Sequence, residues 1–207
     1  MIIRTILDTD LYKFTTSYAY IKLFPYAIGT FSFKDRDGTE YSDEFVERLR
    51  TEISQLSHVA LTEKELEYMI KNCRFLPRVY WEWLSSFRFQ PEKIEIRLDE
   101  NRQLHIEVND YLYKATLYEV PLLAIVSEIK NQSSGNVANL EDILYKLSEK
   151  TELSNKHQLL FSEFGTRRRF SFDVQNQVIG HLKQTAHYCI GTSNCHFAMK
   201  YLSLIHI

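Results

Sequence analysis

The stretch Glu163-Phe-Gly-Thr-Arg-Arg-Arg-Phe-Ser171 decides the fold, because it places a glycine and three arginines between an apolar run and a helical pattern. The apolar run predicts a buried strand that ends in a turn at Gly165. Its members are Leu159, Leu160, Phe161 and Phe164. After the arginines, Val174, Val178 and Leu182 recur at four-residue spacing and predict one face of a helix. Helix N-termini and guanidinium groups both bind phosphate, so the stretch predicts an anion-binding loop.

A second unit of the same kind follows directly. Residues 188–190 form a short apolar run, Gly191-Thr-Ser-Asn194 supplies a turn with capping side chains, and a new helical pattern begins after it. That pattern contains Phe197, Ala198 and Tyr201. Right-handed crossovers make two such strands parallel neighbours. We therefore expect both polar loops at the same carboxyl edge of a sheet or barrel, where such folds keep their chemistry.

The overall charge restricts the class of partner. A formal net charge of −2 gives no long-range attraction to nucleic acid or to an anionic membrane, so anion binding must come from local clusters. The triple arginine, with thirteen tyrosines and thirteen phenylalanines, also suggests a nucleic-acid-binding module. The aromatic residues are spread through core-like patterns, however, and the net charge opposes that class, so we expect no nucleic-acid partner.

The sequence contains no feature typical of membrane or secreted proteins. No apolar run approaches the roughly 18 residues that a membrane span requires, and the N-terminal residues lack the pattern of a signal peptide. Cys73, Cys189 and Cys195 are odd in number and contain no Cys-x-x-Cys pair, which favours a reducing compartment. We therefore expect a cytoplasmic protein without a membrane partner.

The chain up to about residue 130 predicts an α+β unit. Helix starts are predicted at Asp10, at Asp43 and at Thr62, which forms a capping box with Glu65. These helices carry apolar faces and are expected to pack against a sheet. We interpret these helices as packing elements of the unit's core.

A β-hairpin and one further helix complete this unit. Residues 93–98 and 103–108 alternate strictly between apolar and polar side chains, which predicts two antiparallel strands with one buried face. Pro121 fits the first turn of an apolar helix that continues to Lys130. The small polar cluster at 131–136 follows, and a polar helix is predicted from about 139 to 156. We therefore predict one domain over residues 1–132 and a second over residues 133–201.

Four segments of the chain resemble successive motifs of nicotinate phosphoribosyltransferase, in that family's order and at compatible spacing. They are Ile6-Leu-Asp-Thr-Asp-Leu-Tyr-Lys13, Tyr118-Glu-Val-Pro-Leu-Leu-Ala-Ile-Val-Ser-Glu128, Glu163-Phe-Gly-Thr-Arg-Arg-Arg169 and Gly191-Thr-Ser-Asn194. The resemblance implies an α/β fold in which an antiparallel N-terminal domain packs on an irregular β/α barrel. Residues 133–201 would then be the opening strands of that barrel, truncated after the start.

The resemblance also bears on the end of the chain. In the family a phosphorylated histidine lies in a loop beyond the Gly-Thr-Ser-Asn motif, so we expect it after the last residue and assign no catalytic residue. His181, His187 and His196 do not stand in its position. Leu202-Ser-Leu-Ile-His-Ile207 matches the translation of a transposase adapter used in sequencing libraries, and we expect residues 202–207 to be an artefact.

The reaction implied by the resemblance transfers phosphoribose from phosphoribosyl pyrophosphate to nicotinate, in NAD biosynthesis by salvage. Mg²⁺ would assist, ATP would be a co-substrate, and the full-length protein would be a homodimer with shared active sites. Nicotinamide and quinolinate phosphoribosyltransferases are the nearest alternatives, and an inactive fragment that serves only as an interaction module is a third. The motifs favour the nicotinate enzyme.

Nine substrate-binding residues follow from the same resemblance. They are Tyr12, Phe164, Gly165, Thr166, Arg167, Arg169, Gly191, Thr192 and Ser193. Arg167 is the first candidate for a phosphate ligand and Arg169 the second, whereas Arg168 is expected to face another way. Phe164 would stack on the pyridine ring, and Tyr12 would stack on it from the neighbouring subunit. Each assignment has a structural alternative. The arginines would be a solvated helix start, Phe164 would belong to the strand core, and Tyr12 would pack along its helix. Thr192 and Ser193 would only cap the following helix.

Overall fold

The structure, a computed structural model, describes residues 1–35, 38–135 and 137–201. Within these ranges the chain forms eight α-helices and five β-strands. In chain order they are α1 Leu11–Leu23, β1 Ile28–Ser32, α2 Asp43–Ser54, α3 Glu63–Asn72, α4 Arg78–Ser86, β2 Ile94–Leu98, β3 Leu104–Tyr111, α5 Leu112–Ser133, α6 Leu140–Lys156, β4 Phe161–Glu163, α7 Phe172–Thr185, β5 Cys189–Thr192 and α8 Cys195–Tyr201. Short 3₁₀ turns occupy Gln55–His58, Pro91–Lys93 and Thr166–Arg168. Among the described helices, none is both long and apolar enough to span a bilayer.

Strands β1, β3 and β2 form a three-stranded antiparallel sheet in that order. The predicted hairpin is confirmed: β2 pairs with β3, and the side chains of Leu104, Ile106 and Val108 point into the core. Its turn is closed by Asp99, whose Oδ1 accepts hydrogen bonds from the backbone N–H groups of Asn101 and Gln103, both at 2.9 Å. The sheet is therefore apolar on one face, as the alternation predicts.

Local capping rules predict the helix starts correctly, with one difference. Thr62 and Glu65 form the predicted capping box, and α2 begins at Asp43 with Ser42 as its N-cap. Asp10 is the N-cap residue of α1, but its side chain makes no capping hydrogen bond. That carboxylate instead lies toward α8, which gives it a role outside α1.

The long helix α5 crosses the core, and here one prediction is wrong. Pro121 lies inside α5 instead of in its first turn, because the helix already begins at Leu112. An interior proline normally costs about 3 kcal/mol, since it removes one backbone hydrogen bond. The helix continues because its residues on both sides of Pro121 are buried, among them Tyr118, Leu122 and Ile125, and apolar burial offsets that cost.

The second part of the chain departs from its predicted burial. Strands β4 and β5 are parallel, as predicted, but β4 has only three residues and its apolar run is open: Leu159, Leu160 and Phe164 are 53%, 70% and 48% exposed. Helix α7 buries Phe172, Gln175, Ile179 and Leu182, whereas Val174 and Val178 are only half-buried. The four-residue spacing therefore predicted a face of α7 that lies at the edge of the face that is actually buried.

Neither the predicted domain boundary at residue 132 nor the predicted artefact at residues 202–207 is tested by the observed fold. Helix α5 ends at Ser133, beside the proposed division at residue 132, and α6 begins at Leu140 with Asn139 as its side-chain cap. The division itself stays a prediction. Residues 202–207 lie outside the described residues.

Candidate active site

The loops after β4 and β5 meet at the carboxyl ends of the two parallel strands. Glu163 is the register partner of Thr192, and the backbone N–H of Ser193 donates to the Glu163 carbonyl at 3.0 Å. The prediction that both polar loops emerge at one edge is therefore confirmed. The 3₁₀ turn Thr166–Arg168 carries the arginines at this edge.

A third segment, at the N-terminus, closes the site from the other side. Backbone hydrogen bonds join Leu11 N–H to the Ser193 carbonyl at 2.9 Å, Cys195 N–H to that of Thr9 at 3.0 Å, and His196 N–H to that of Leu7 at 2.9 Å. These three bonds bring Asp8, Asp10 and Tyr12 beside the two loops. Sequence spacing alone does not predict this approach; only the resemblance pointed to Tyr12.

Tyr12, Phe164 and Arg167 form one continuous surface, which we term the aromatic-arginine face. The Tyr12 and Phe164 rings are nearly parallel, with an interplanar angle of 20° and centroids 6.1 Å apart. The Arg167 guanidinium carbon lies 5.5 Å from the Phe164 centroid and 6.0 Å from that of Tyr12. The three residues lie together within this one chain, and a contribution of Tyr12 to a neighbouring subunit's site stays a prediction.

Two carboxylates hold the Arg167 guanidinium. Its Nη1 donates to Glu119 Oε1 at 3.2 Å, and its Nε lies 3.8 Å from Asp10 Oδ2. Glu119 also accepts a hydrogen bond from the Tyr12 hydroxyl at 3.4 Å and forms an ion pair with Lys13. The Arg167 side chain remains 36% exposed, so it can still reach a ligand.

Arg169 has a different environment. Its Nη1 donates to Asp8 Oδ1 at 2.7 Å, its Nη2 to the Ile2 carbonyl at 3.2 Å, and its Nε lies 3.7 Å from Glu128 Oε2. The guanidinium group is buried and its charge is balanced inside the protein. Arg168, by contrast, is exposed, as predicted. The three consecutive arginines thus have three different surroundings.

The hydroxyl groups of the two loops are engaged within the protein. Thr166 is buried and its Oγ1 accepts hydrogen bonds from Gln175 and Asn194. Thr192 donates to Glu163 Oε2 at 2.5 Å, and Ser193 donates to Asp10 Oδ1 at 2.6 Å. Neither Thr192 nor Ser193 caps α8, because Asn194 Oδ1 accepts from the Phe197 N–H at 3.1 Å.

The nine predicted site residues therefore divide into two groups. Tyr12, Phe164, Gly165 and Arg167 are at least partly exposed at the mouth of the site. The remaining five are buried; they are Thr166, Arg169, Gly191, Thr192 and Ser193. Ligand contact stays a prediction for all nine residues, and the side chains of the second group support the loops in this structure.

Burial sets the protonation of the groups around the face. It raises the pKa of the Asp10 carboxyl, against the lowering effects of the Ser193 hydrogen bond and the Arg167 charge. Burial also raises the pKa of the Glu128 carboxyl, and burial followed by the Glu119 charge raises that of Tyr12 to about 12. Tyr12 is thus a neutral hydrogen-bond donor at physiological pH.

Sequence reasoning missed the carboxylates of the site. Asp8, Asp10, Glu119 and Glu163 all lie inside the motifs that carry the resemblance, yet the sequence analysis assigns none of them to the site. Glu119 lies among apolar residues shortly before Pro121 on α5, and a partly buried carboxylate in such a stretch needs a partner. That signal could have identified it.

Mg²⁺ is the metal ion that the resemblance implies. Among the described residues, no three or more histidine, cysteine or acidic side chains are arranged to hold a metal ion. Mg²⁺ often binds through one or two carboxylates together with substrate phosphates and water. The described residues therefore fit a magnesium ion only as a co-ligand of a bound phosphate.

Comparisons with known proteins agree on one family. The profile described as nicotinate phosphoribosyltransferase (NAPRTase) N-terminal domain matches residues 7–127, and that of the NAPRTase family matches residues 159–205. The nicotinate phosphoribosyltransferase of Methanosarcina acetivorans is 39% identical over 215 residues, which cover 96% of this chain and 53% of that protein. The chain thus spans about half the length of the curated relatives it matches.

Solved structures give the same result for the fold. The crystal structure of nicotinate phosphoribosyltransferase from Porphyromonas gingivalis is similar with a TM-score of 0.96 at 42% identity, covering 100% of this chain and 53% of that chain. The enzyme from Vibrio cholerae has a TM-score of 0.89 at 26% identity, with coverage of 100% and 51%. The mixed α/β fold with an antiparallel sheet is therefore shared over the whole chain.

Proposed function

The chain belongs to the nicotinate phosphoribosyltransferase family, and on that premise we propose that its activity is phosphoribosyl transfer from phosphoribosyl pyrophosphate to nicotinate. The product would be nicotinate mononucleotide, a precursor in NAD biosynthesis. The observation that carries the proposal is the aromatic-arginine face, where two aromatic rings and a partly exposed guanidinium lie together at the carboxyl ends of β4 and β5.

The chemistry of the face suits both substrates. Nicotinate is a flat aromatic anion, and ring faces such as those of Tyr12 and Phe164 bind flat rings by stacking. Phosphoribosyl pyrophosphate carries phosphates, and a guanidinium fork such as that of Arg167 binds phosphate oxygens with two parallel hydrogen bonds. A site that holds both substrates side by side lowers the barrier by orientation alone.

The proposed reaction exchanges one bond for another at the ribose. The pyridine nitrogen forms a C–N bond to the anomeric carbon, while the C–O bond to pyrophosphate breaks and its electron pair leaves with pyrophosphate. Negative charge grows on the leaving group, and Arg167 is placed to stabilise it. Tyr12 and Phe164 would hold the ring plane at the anomeric carbon.

The proposal includes Mg²⁺ and ATP. Mg²⁺ bound to the pyrophosphate would neutralise part of its charge. ATP would be a co-substrate whose hydrolysis is coupled to the transfer, as in a ligase. We assign no residue of this chain to that coupling.

Assembly and location are part of the same proposal. We propose a homodimer in the cytoplasm, and we propose that β4 and β5 are the opening strands of a β/α barrel. Tyr12 already contacts Phe164 within its own chain. We also propose that the active sites are shared between the subunits, and subunit mixing tests whether Tyr12 serves its own site or the neighbouring one.

The proposal is tested with the complete reading frame that contains these residues. Nicotinate, nicotinamide and quinolinate are each supplied with phosphoribosyl pyrophosphate and Mg-ATP, and the mononucleotide products are separated by chromatography. We expect preferential formation of nicotinate mononucleotide, and less of it when ATP is omitted. A preference for nicotinamide or quinolinate would assign the protein to a neighbouring activity, and absence of all three products would favour an interaction module.

A further inference from the structure

Glu119 is one carboxylate that contacts three groups at the edge of the aromatic-arginine face. Its Oε1 accepts from Arg167 Nη1 at 3.2 Å and from the Tyr12 hydroxyl at 3.4 Å, and its Oε2 pairs with the Lys13 ammonium. These groups come from α1 and from the loop after β4, whereas Glu119 lies on α5. One side chain thus joins three elements of the fold beside the proposed substrate site.

Lys13 fixes the position of that carboxylate. The Lys13 side chain is only 6% exposed, and Glu119 is 25% exposed. A buried ammonium requires a charged or hydrogen-bonding partner, so this ion pair is strongly favoured over a free Lys13. With Oε2 committed to Lys13, Oε1 is left at a defined position for Arg167 and Tyr12.

The Arg167 guanidinium is consequently held at two of its three nitrogens. Glu119 engages Nη1 and Asp10 lies 3.8 Å from Nε, while Nη2 has no hydrogen-bond partner among the described residues. A long, partly exposed arginine otherwise samples many rotamers, and the fork loses less entropy on binding when its orientation is already set. The Nη2 amino group, with its two N–H donors, is the part of Arg167 that a phosphate group could bind.

We propose that Glu119 is a positioning residue, which orients Arg167 and Tyr12 for the substrates without touching them. This inference rests on the proposed function for the identity of the ligand. The opposite role is also physically possible: a carboxylate on Arg167 could merely compete with phosphate. The two roles differ in sign, because loss of a positioning carboxylate weakens phosphate binding and loss of a competitor strengthens it.

The test is a double-mutant cycle in the complete reading frame, with Glu119→Gln and Arg167→Ala alone and combined. Calorimetry measures the Kd of phosphoribosyl pyrophosphate with Mg²⁺. We expect Glu119→Gln to weaken binding about tenfold in the wild-type background and less than twofold in the Arg167→Ala background, because contacting residues are coupled. Glu152→Gln, an exposed change on α6, is the matched control and should leave the Kd unchanged.

A second readout needs no ligand. In protein labelled with ¹⁵N-arginine, the Arg167 Nε–H signal, identified by its loss in Arg167→Lys, should report a rigid side chain in the wild type and a mobile one in Glu119→Gln. If Glu119→Gln does not fold, Glu119→Asp, which keeps the charge but is one methylene shorter, enters both measurements. If the wild type binds no phosphoribosyl pyrophosphate, the proposed function fails and the mobility comparison decides the positioning role.

Three results would overturn the inference. They are tighter or unchanged binding in Glu119→Gln, an equal loss in both backgrounds of the cycle, or an Arg167 side chain that stays rigid without Glu119. A coupled loss together with increased Arg167 mobility supports it.

Discussion

Arg169 Nη1 lies 2.7 Å from Asp8 Oδ1, and neither side chain is more than 1% exposed. The Arg167 side chain, two residues earlier, is 36% exposed on the surface of the site. The difference separates two environments within one run of arginines: Arg169 fastens the loop to the N-terminal segment, and Arg167 is partly exposed at the mouth of the site. Mutations of the two should therefore affect different quantities.

Replacement of Arg169 should lower stability. Arg169→Met removes one partner of a buried ion pair and leaves Asp8 uncompensated, which typically costs about 3–5 kcal/mol. We expect a lower free energy of unfolding by that amount in urea titrations of the complete reading frame. Arg168→Ala is the matched control on the exposed neighbour and should stay within about 0.5 kcal/mol of wild type. Equal stability of Arg169→Met and Arg168→Ala would contradict the structural role.

Replacement of Arg167 should affect substrate use. Arg167→Ala should weaken the use of phosphoribosyl pyrophosphate by about 2 kcal/mol or more, because a charge-assisted contact is lost. Arg167→Lys should restore little of the lost activity, since an ammonium cannot reproduce the planar guanidinium fork. Steady-state kinetics with varied phosphoribosyl pyrophosphate measure the effect. Kinetics like those of Arg168→Ala would make Arg167 a solvated surface residue instead.

Subunit mixing can test whether Tyr12 acts in its own chain. Tyr12→Ala should raise the KM for nicotinate, and Tyr12→Phe, which keeps the ring, should raise it less. Because Tyr12 and Phe164 stack within one chain, mixed dimers of Tyr12→Ala and Arg167→Ala subunits should regain no activity. Recovery to about half would mean that each site takes its tyrosine from the other subunit, since one intact site then forms per mixed dimer.

The stability of the protein should depend on the charge of Asp10. Burial raises its pKa above the ordinary value of 3.8, so the folded state binds the proton more tightly than the unfolded chain. The contribution of Asp10 to stability is then greatest below pH 3.8 and is lost as the pH rises through the raised pKa. Asp10→Asn, which resembles the protonated form, should thus be more stable than wild type at pH 7.5.

The stability gain of Asp10→Asn over the wild type should depend on pH. The difference between Asp10→Asn and wild type should shrink as unfolding is measured at pH 6.0 and then at pH 4.5 in urea. Asp8→Asn is the contrasting variant, because it unpairs Arg169 and should destabilise the protein. A constant difference across the pH series would rule out titration of Asp10 as its cause.

A polypeptide limited to residues 1–201 should self-associate. Apolar side chains at the β4 and β5 end are exposed; they are Leu159, Leu160, Phe164 and Ile190. Contiguous exposed apolar surface promotes association, and a two-stranded sheet leaves strand edges unpaired. Size-exclusion chromatography should show large species for this polypeptide and a defined oligomer for the complete reading frame. A monodisperse profile of residues 1–201 would contradict the expectation.

Local rules predicted the parts of the fold that depend on neighbouring residues. The capping box at Thr62, the hairpin around Asp99 and the parallel pair β4 and β5 each follow from a short pattern. Pro121 was misplaced because tertiary burial overrides the local preference of proline. The predicted buried face of α7 differs from the observed one, because burial depends on what packs against the helix as well as on the spacing of its apolar residues.

The site was less predictable, because it is assembled from distant segments. The pattern Arg-Arg-Arg indicated an anion site but could not separate Arg167 from Arg169, since the partner of Arg169 is 161 residues away. Glu119 was likewise not recognised, because its partners Lys13 and Arg167 lie on two other elements. The exposure of Arg167 and the burial of Arg169 are set by tertiary packing, which local sequence patterns do not report.

The backbone bonds that join residues 7–11 to residues 193–196 also fix when this protein can acquire its site during synthesis. At a translation rate of about 5–20 residues per second, α1 leaves the ribosome roughly ten to forty seconds before its partner segment does. During that interval the backbone N–H of Leu11 lacks its acceptor, the Ser193 carbonyl. Closing so long a loop is also slow. The site can therefore form only after residues 193–196 have been synthesised.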